Sequence, residues 1–207
     1  MSLKESDKRR FKMVSKFRKT IVLLMAFALA TVSANALGMY AKGSIGYQFY
    51  QAEFYDGYAE ANCFEISPAF GLYPFDNRTL ALEATLDFSI GGSSENDVDV
   101  DVFVFTPEVM ALVNVPLDTL IPSLSSSDIT KKLIPYFGLG FSMPIESTDA
   151  SFGGYTFSDS AVKFRMNFCA GARYNINEKM AITADFNGGA LTVWTWSMRA
   201  GFMYTFK

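Results

Sequence analysis

The sequence predicts an all-β fold, an eight-stranded antiparallel up-and-down transmembrane β-barrel, and three observations carry that expectation. Apolar and polar residues alternate with period two, which puts successive side chains on opposite faces of a sheet. The alternation stops and restarts about eight times, each run ending in turn chemistry, with no helical stripe of useful length between. The ionised residues keep to the face built of small side chains, opposite the face built of bulky apolar ones.

The first segment, 1–36, has the form of a Sec-type signal peptide. Lys16, Arg18 and Lys19 precede the apolar run Ile21 to Val32, and Ala34-Asn35-Ala36 is a small-x-small cleavage site. The run has 12 residues, short of the roughly 20 that a helical crossing needs, so cleavage rather than retention as an anchor is expected. Met13 gives a signal of more usual length than Met1 and is the expected start. The mature barrel is then 37–207.

The first run, Leu37 to Tyr50, sets Met39, Ala41, Gly43, Ile45, Tyr47 and Phe49 against Tyr40, Lys42, Ser44, Gly46 and Gln48. In the second, Phe64, Ile66, Pro68, Phe70 and Leu72 oppose Cys63, Glu65, Ser67, Ala69 and Gly71. Past the turn 74–78, the third opposes Leu80, Leu82, Ala84, Leu86, Phe88 and Ile90 to Glu83, Thr85, Asp87 and Ser89. The fourth runs from Asp97 to Val115 and carries Glu108 on its polar face, and the fifth, Leu133 to Met143, alternates Phe137, Leu139 and Phe141 with Tyr136, Gly138 and Gly140. The sixth, 162–176, is the clearest: Val162, Phe164, Met166, Phe168, Ala170, Ala172, Tyr174 and Ile176 alternate with Lys163, Arg165, Asn167, Cys169, Gly171, Arg173 and Asn175. The seventh opposes Met180, Ile182, Ala184 and Phe186 to Thr183, Asp185 and Asn187, and the last opposes Trp194, Trp196, Met198, Phe202, Tyr204 and Phe206 to Ser197, Arg199, Gly201 and Met203.

Alternation alone leaves open whether the apolar face lines a core, as in a soluble lipocalin-like barrel, or meets lipid. Size decides. An eight-stranded barrel is only wide enough for side chains to fill it, and five or more Phe, Tyr, Trp, Leu and Met per strand would overfill it. Ser44, Gly46, Ala69, Gly71, Gly138, Gly140, Gly171 and Gly201 share the charged faces and make room for long side chains. The bulky face therefore points outward. Aromatic residues gather at strand ends, and Tyr47, Phe49, Phe70, Tyr73, Trp194, Trp196, Tyr204 and Phe206 are expected to form an interfacial girdle.

Ten ionised residues then have inward parity: Lys42, Glu65, Glu83, Asp87, Glu108, Lys163, Arg165, Arg173, Asp185 and Arg199. Five are acidic and five basic, and a charge removed from water needs a partner. A lumen ion-pair network that plugs the barrel is expected, with Asp185 placed between Arg165 and Arg173 on one neighbouring strand and Arg199 on the other; a water-filled or gated pore is the alternative.

Three stretches resemble the small bacterial outer-membrane β-barrel family, the group of the OmpA transmembrane domain, OmpX and OmpW. Ile134-Pro135-Tyr136-Phe137-Gly138-Leu139-Gly140-Phe141 is similar to its PY-x-G-x-G strand and Asn167-Phe168-Cys169-Ala170-Gly171-Ala172-Arg173-Tyr174 to its G-x-G-x-R-Y strand. Gly201, Phe202, Tyr204 and Phe206 resemble the C-terminal β-signal read by the barrel assembly machinery, with Lys207 departing from the pattern after the last aromatic. The resemblance covers 37–207 and implies outer-membrane lipid as surroundings, periplasmic chaperones and the assembly machinery as partners during insertion, and both termini in the periplasm. It also implies short periplasmic turns at 74–78 and 175–179, and outer loops near 51–60, 91–97, 144–160 and 187–192. The long periplasmic connection 116–132 departs from the family and is expected to hold a short helix under the barrel.

Other chemistry is excluded on stated grounds. Without 1–36 the chain keeps 10 basic and 19 acidic residues, a net charge of −9, which does not suit binding to nucleic acid. Asp97, Asp99 and Asp101 with Glu108 copy a calcium-loop spacing, but Val102 stands where the loop needs glycine, so an acidic strand end is expected and no metal or other cofactor. There is no histidine, the general base on which the barrel acyltransferases, deacylases and outer-membrane proteases rely. Cys63 and Cys169 fall on opposite walls, beyond the Cα separation of about 7 Å that a disulfide tolerates, so free thiols are expected. What remains is a non-catalytic barrel displaying loops to an extracellular ligand; the alternative is an OmpW-like channel passing small apolar solutes through an upper lumen lined by Val98, Val100, Val102 and Val104.

Overall fold

A computed structural model describes residues 38–54, 57–95, 98–117, 128–152, 155–190 and 195–206; residues 1–36, expected as a signal peptide, and Trp194 lie outside these. Ten strands and one short helix follow in order: β1 (Gly38–Phe54), β2 (Gly57–Tyr73), β3 (Leu80–Glu95), β4 (Val98–Asn114), α1 (Asp128–Lys132), β5 (Leu133–Ser142), β6 (Ile145–Phe152), β7 (Tyr155–Val162), β8 (Arg165–Asn175), β9 (Met180–Ala190) and β10 (Thr195–Thr205). Eight of them, β1, β2, β3, β4, β5, β8, β9 and β10, close into one antiparallel ring.

The remaining two form a hairpin that continues the wall at one end. β5 pairs with the Glu108–Asn114 half of β4, while β6 pairs with the Val98–Phe105 half. Between them stands Pro144, which has no N–H to give to the ladder. The wall stays knit across the break because Met143 N–H donates to Pro107 C=O at 3.0 Å and Lys163 N–H to Pro144 C=O at 3.0 Å. Among the described residues β7 pairs with β6 alone, so its other edge lacks a strand.

Several outer stretches expected as loops are strand. Gln51↔Glu60, Ala52↔Ala59 and Phe54↔Gly57 continue the β1–β2 ladder, and Ser93↔Val100 and Ser94↔Asp99 continue β3–β4. Positions 145–152 and 155–162 are the β6–β7 hairpin, and β9 runs on to Ala190. Small and polar residues read as loop by composition, but backbone pairing between neighbouring antiparallel strands does not require apolar side chains.

At the opposite end the connections are tight. In 74–79, Asn77 Oδ1 accepts the Thr79 N–H at 3.0 Å; in 176–179, Asn177 Oδ1 accepts those of Lys179 and Met180, each at 2.9 Å. Asn114 Nδ2 ties β4 to the first turn by donating to Arg78 C=O at 2.7 Å. Arg78 has φ 51°, the left-handed conformation. We call this the turn end, and the other the hairpin end.

Burial gives the barrel its orientation. Leu139 is 65 % exposed, Ile90 63 %, Met198 59 % and Phe137 57 %, whereas nine of the ten predicted lumen charges are between 1 and 7 % exposed. A water-soluble barrel would reverse that distribution, and an apolar belt this continuous needs lipid against it.

Candidate functional site: the charged lumen and its two mouths

The lumen is layered. Near the turn end Tyr40, Tyr73, Met110, Leu112, Tyr136, Cys169 and Met203 pack into one buried cluster, and near the hairpin end Tyr50, Ala61, Cys63, Val100, Val102 and Val104 form another. The ion pairs fill the space between. Both cysteines are free, one in each cluster, and the Val98 side chain lies outside the described residues.

Arg199 is the hub of the middle layer. Its Nε donates to Asp185 Oδ1 at 2.8 Å, and its Nη1 to Asp87 Oδ1 at 3.1 Å and to Glu65 Oε1 at 3.3 Å. Lys42 Nζ lies 2.7 Å from Glu83 Oε1 and 3.8 Å from Asp185 Oδ2. Six of the ten residues, Lys42, Glu65, Glu83, Asp87, Asp185 and Arg199, thus join in one network drawn from five strands.

The other four stand apart from it. Glu108 accepts a hydrogen bond from Asn167 Nδ2, and Arg165 Nη1 donates to Thr195 Oγ1. Lys163 pairs at 3.2 Å with Glu146, a residue expected in a loop and therefore missed by parity. Arg173 Nη1 donates to the Tyr73 hydroxyl, with no carboxylate paired to it among the described residues.

Three glycines explain how side chains on non-adjacent strands meet. Tyr40 on β1 lies across Gly71 on β2 to donate to Glu83 Oε2 on β3 at 2.8 Å, and the register sets Tyr40, Gly71 and Glu83 in one row. A Cβ added at Gly71 would stand 2.0 Å from the Tyr40 ring. Tyr136 on β5 repeats the device, crossing Gly171 on β8 to reach Asp185 on β9 at 3.0 Å. Arg199 crosses Gly46 on β1 to reach Glu65 on β2. Sequence parity identified the charges and the small residues but missed Tyr40, Tyr136, Ser67 and Asn187 as their neutral partners; an inward tyrosine opposite a glycine is the signal that marks two of them.

Of the girdle residues, Tyr47, Tyr204 and Phe206 are exposed at 46, 38 and 47 %. Phe49 stacks on Trp196 with ring centroids 5.7 Å apart, and Phe70 is half-buried. Tyr73 does not belong with them. It is 1 % exposed and packs on Tyr40, with centroids 5.2 Å apart, because its odd position in β2 shares the inward parity of Cys63, Glu65 and Gly71. Gly201, Phe202, Tyr204 and Phe206 lie along the β1–β10 seam, where Phe206 N–H donates to Met39 C=O at 2.8 Å.

The layered lumen, the outward apolar belt and the closed ring agree with sequence comparison, in which a model of the family described as outer membrane protein beta-barrel domain matches residues 20–206. The chain belongs to that family. It is therefore an outer-membrane protein. No curated protein matches it in sequence. Among solved structures, Neisserial surface protein A superposes with a TM-score of 0.58 at 12 % identity, over 80 % of this chain and 96 % of that one. OprG of Pseudomonas aeruginosa gives 0.51 at 13 %, covering 83 % and 97 %. Ail of Yersinia pestis gives 0.50 at 17 %, covering 81 % and 98 %. At these identities the likeness is one of fold.

Proposed function

We propose that this outer-membrane barrel is non-catalytic, that its lumen is closed by its own ion pairs, and that its working surface is the hairpin end, turned to the cell exterior. The observation that carries this reading is the Arg199 and Lys42 network, which leaves a polar cavity of only about 20 Å³ beside it. That is space for a single water. The short turns and 116–132 then face the periplasm, residues 1–36 are removed on export, and the Gly201–Phe206 strand is what the assembly machinery reads.

The exposed ends of β4 and β6 carry Asp99, Asp101 and Asp149, with Asp101 directly opposite Asp149. Ail has been crystallised with the heparin analogue sucrose octasulfate. An acidic rim repels such a polyanion, so the extracellular partner proposed here is a neutral or basic surface.

Recording from planar bilayers tests closure: purified barrel should give no steady single-channel conductance, and steady openings of uniform size would overturn it. The apolar cluster of Val100, Val102 and Val104 favours a second reading, in which an apolar solute enters the upper lumen and leaves before reaching the charges. Uptake of a small apolar dye into proteoliposomes in the absence of ionic conductance would select that reading.

A further inference from the structure

We propose that the turn end holds a binding site for a small oxyanion, a carboxylate or a phosphate, centred on Arg173. Arg173 is 7 % exposed and its Nε has no hydrogen-bond partner among the described residues. The groups its Nη1 contacts are neutral: the Tyr73 hydroxyl accepts from it, and Met203 Sδ lies 3.9 Å away. Arg165 Nε is unpartnered as well, but that side chain lines the inner lumen together with Glu65, Asp87 and Glu108, whereas Arg173 lines the turn-end mouth, where Glu178 is the acid.

It lines a cavity of about 340 Å³ that opens at the turn end, and two further cations, Arg78 and Lys179, line the same space with Glu178 as the acid beside them. Arg78 Cζ and Arg173 Cζ stand 5.6 and 5.8 Å from the centroid of the single Tyr73 ring. Neither guanidinium has an ion pair with a carboxylate among the described residues. Arg78 is exposed to water, but Arg173 is buried with a hydrogen-bond donor left over, a costly arrangement until an acceptor joins it. Guanidinium forks match the planar oxygens of carboxylate and phosphate. The cavity is large enough for more than a bare ion, and Met203, Met180 and Ile134 on its wall suit an anion carried on a short apolar stem.

The test uses the whole folded barrel in uncharged detergent micelles, titrated calorimetrically with inorganic phosphate in one arm and acetate in the other. Saturable binding in either arm is expected, and the responding arm tells which oxyanion the site prefers. Arg173→Gln should weaken it by about tenfold or more, while Lys163→Gln, which removes a like charge at the hairpin end, should leave it unchanged. Because Arg173→Gln could also loosen the fold, Lys179→Gln is measured beside it, with retention of the heat-sensitive electrophoretic shift as proof of a closed barrel. No saturable heat from either anion up to about 10 mM, or binding that survives both substitutions, would overturn the proposal.

Discussion

At the scale of single residues, small side chains matter as much as charged ones. Gly71 and Gly171 each give a tyrosine the floor it crosses to reach an acid two strands away, so a methyl group there displaces the ring and strands a buried carboxylate. Gly171→Ala is expected to cost about 1–3 kcal/mol, read as a lower urea midpoint for barrel opening, with Tyr136→Phe costing less. Arg199 faces three carboxylates within 3.3 Å, and truncating one partner of a buried ionic cluster leaves the others uncompensated. Arg199→Ala should destabilise by about 3–5 kcal/mol and, if the lumen is plugged as proposed, give rise to conductance in the bilayer recording. An unchanged urea midpoint would sink the assignment of Arg199 as hub.

At the scale of elements, the parity of each run was legible because it follows from strand geometry alone, and the inward placement of nine of the ten charges came with it. Where strands end was not. Gln51 to Phe54 and Ser93 to Glu95 pair although nothing in their composition alternates strongly, since the backbone ladder holds them. The β6–β7 hairpin stayed hidden for the same reason, and with it the Glu146 partner of Lys163. Tyr73 was misplaced because its position near a strand end outweighed its odd parity. The hairpin lies outside the closed ring, so replacing residues 145–162 by a short turn should leave the heat-sensitive electrophoretic shift intact. In hydrogen exchange β7 amides, laddered on one side only among the described residues, should exchange well before those of β8, which has partners on both sides. Equal protection would mean that the hairpin is covered by something further.

At the scale of the whole molecule, an inverted distribution of polarity makes lipid part of the fold. Leu139 stands 65 % exposed in the middle of β5, so Leu139→Arg should cost about 2–4 kcal/mol in a bilayer, read as a lowered urea midpoint for refolding into vesicles. The same substitution at exposed Asp149 should be nearly neutral.

The wall's seam has a further consequence. Its first and last strands are partners along eleven register pairs, from Tyr40↔Thr205 to Tyr50↔Thr195. No nascent stretch can complete the cylinder before the ribosome has finished the final strand, so until then the β1 edge has no partner on that side. Closure is therefore the last thing this wall can do, and it waits on the chain's C-terminal strand.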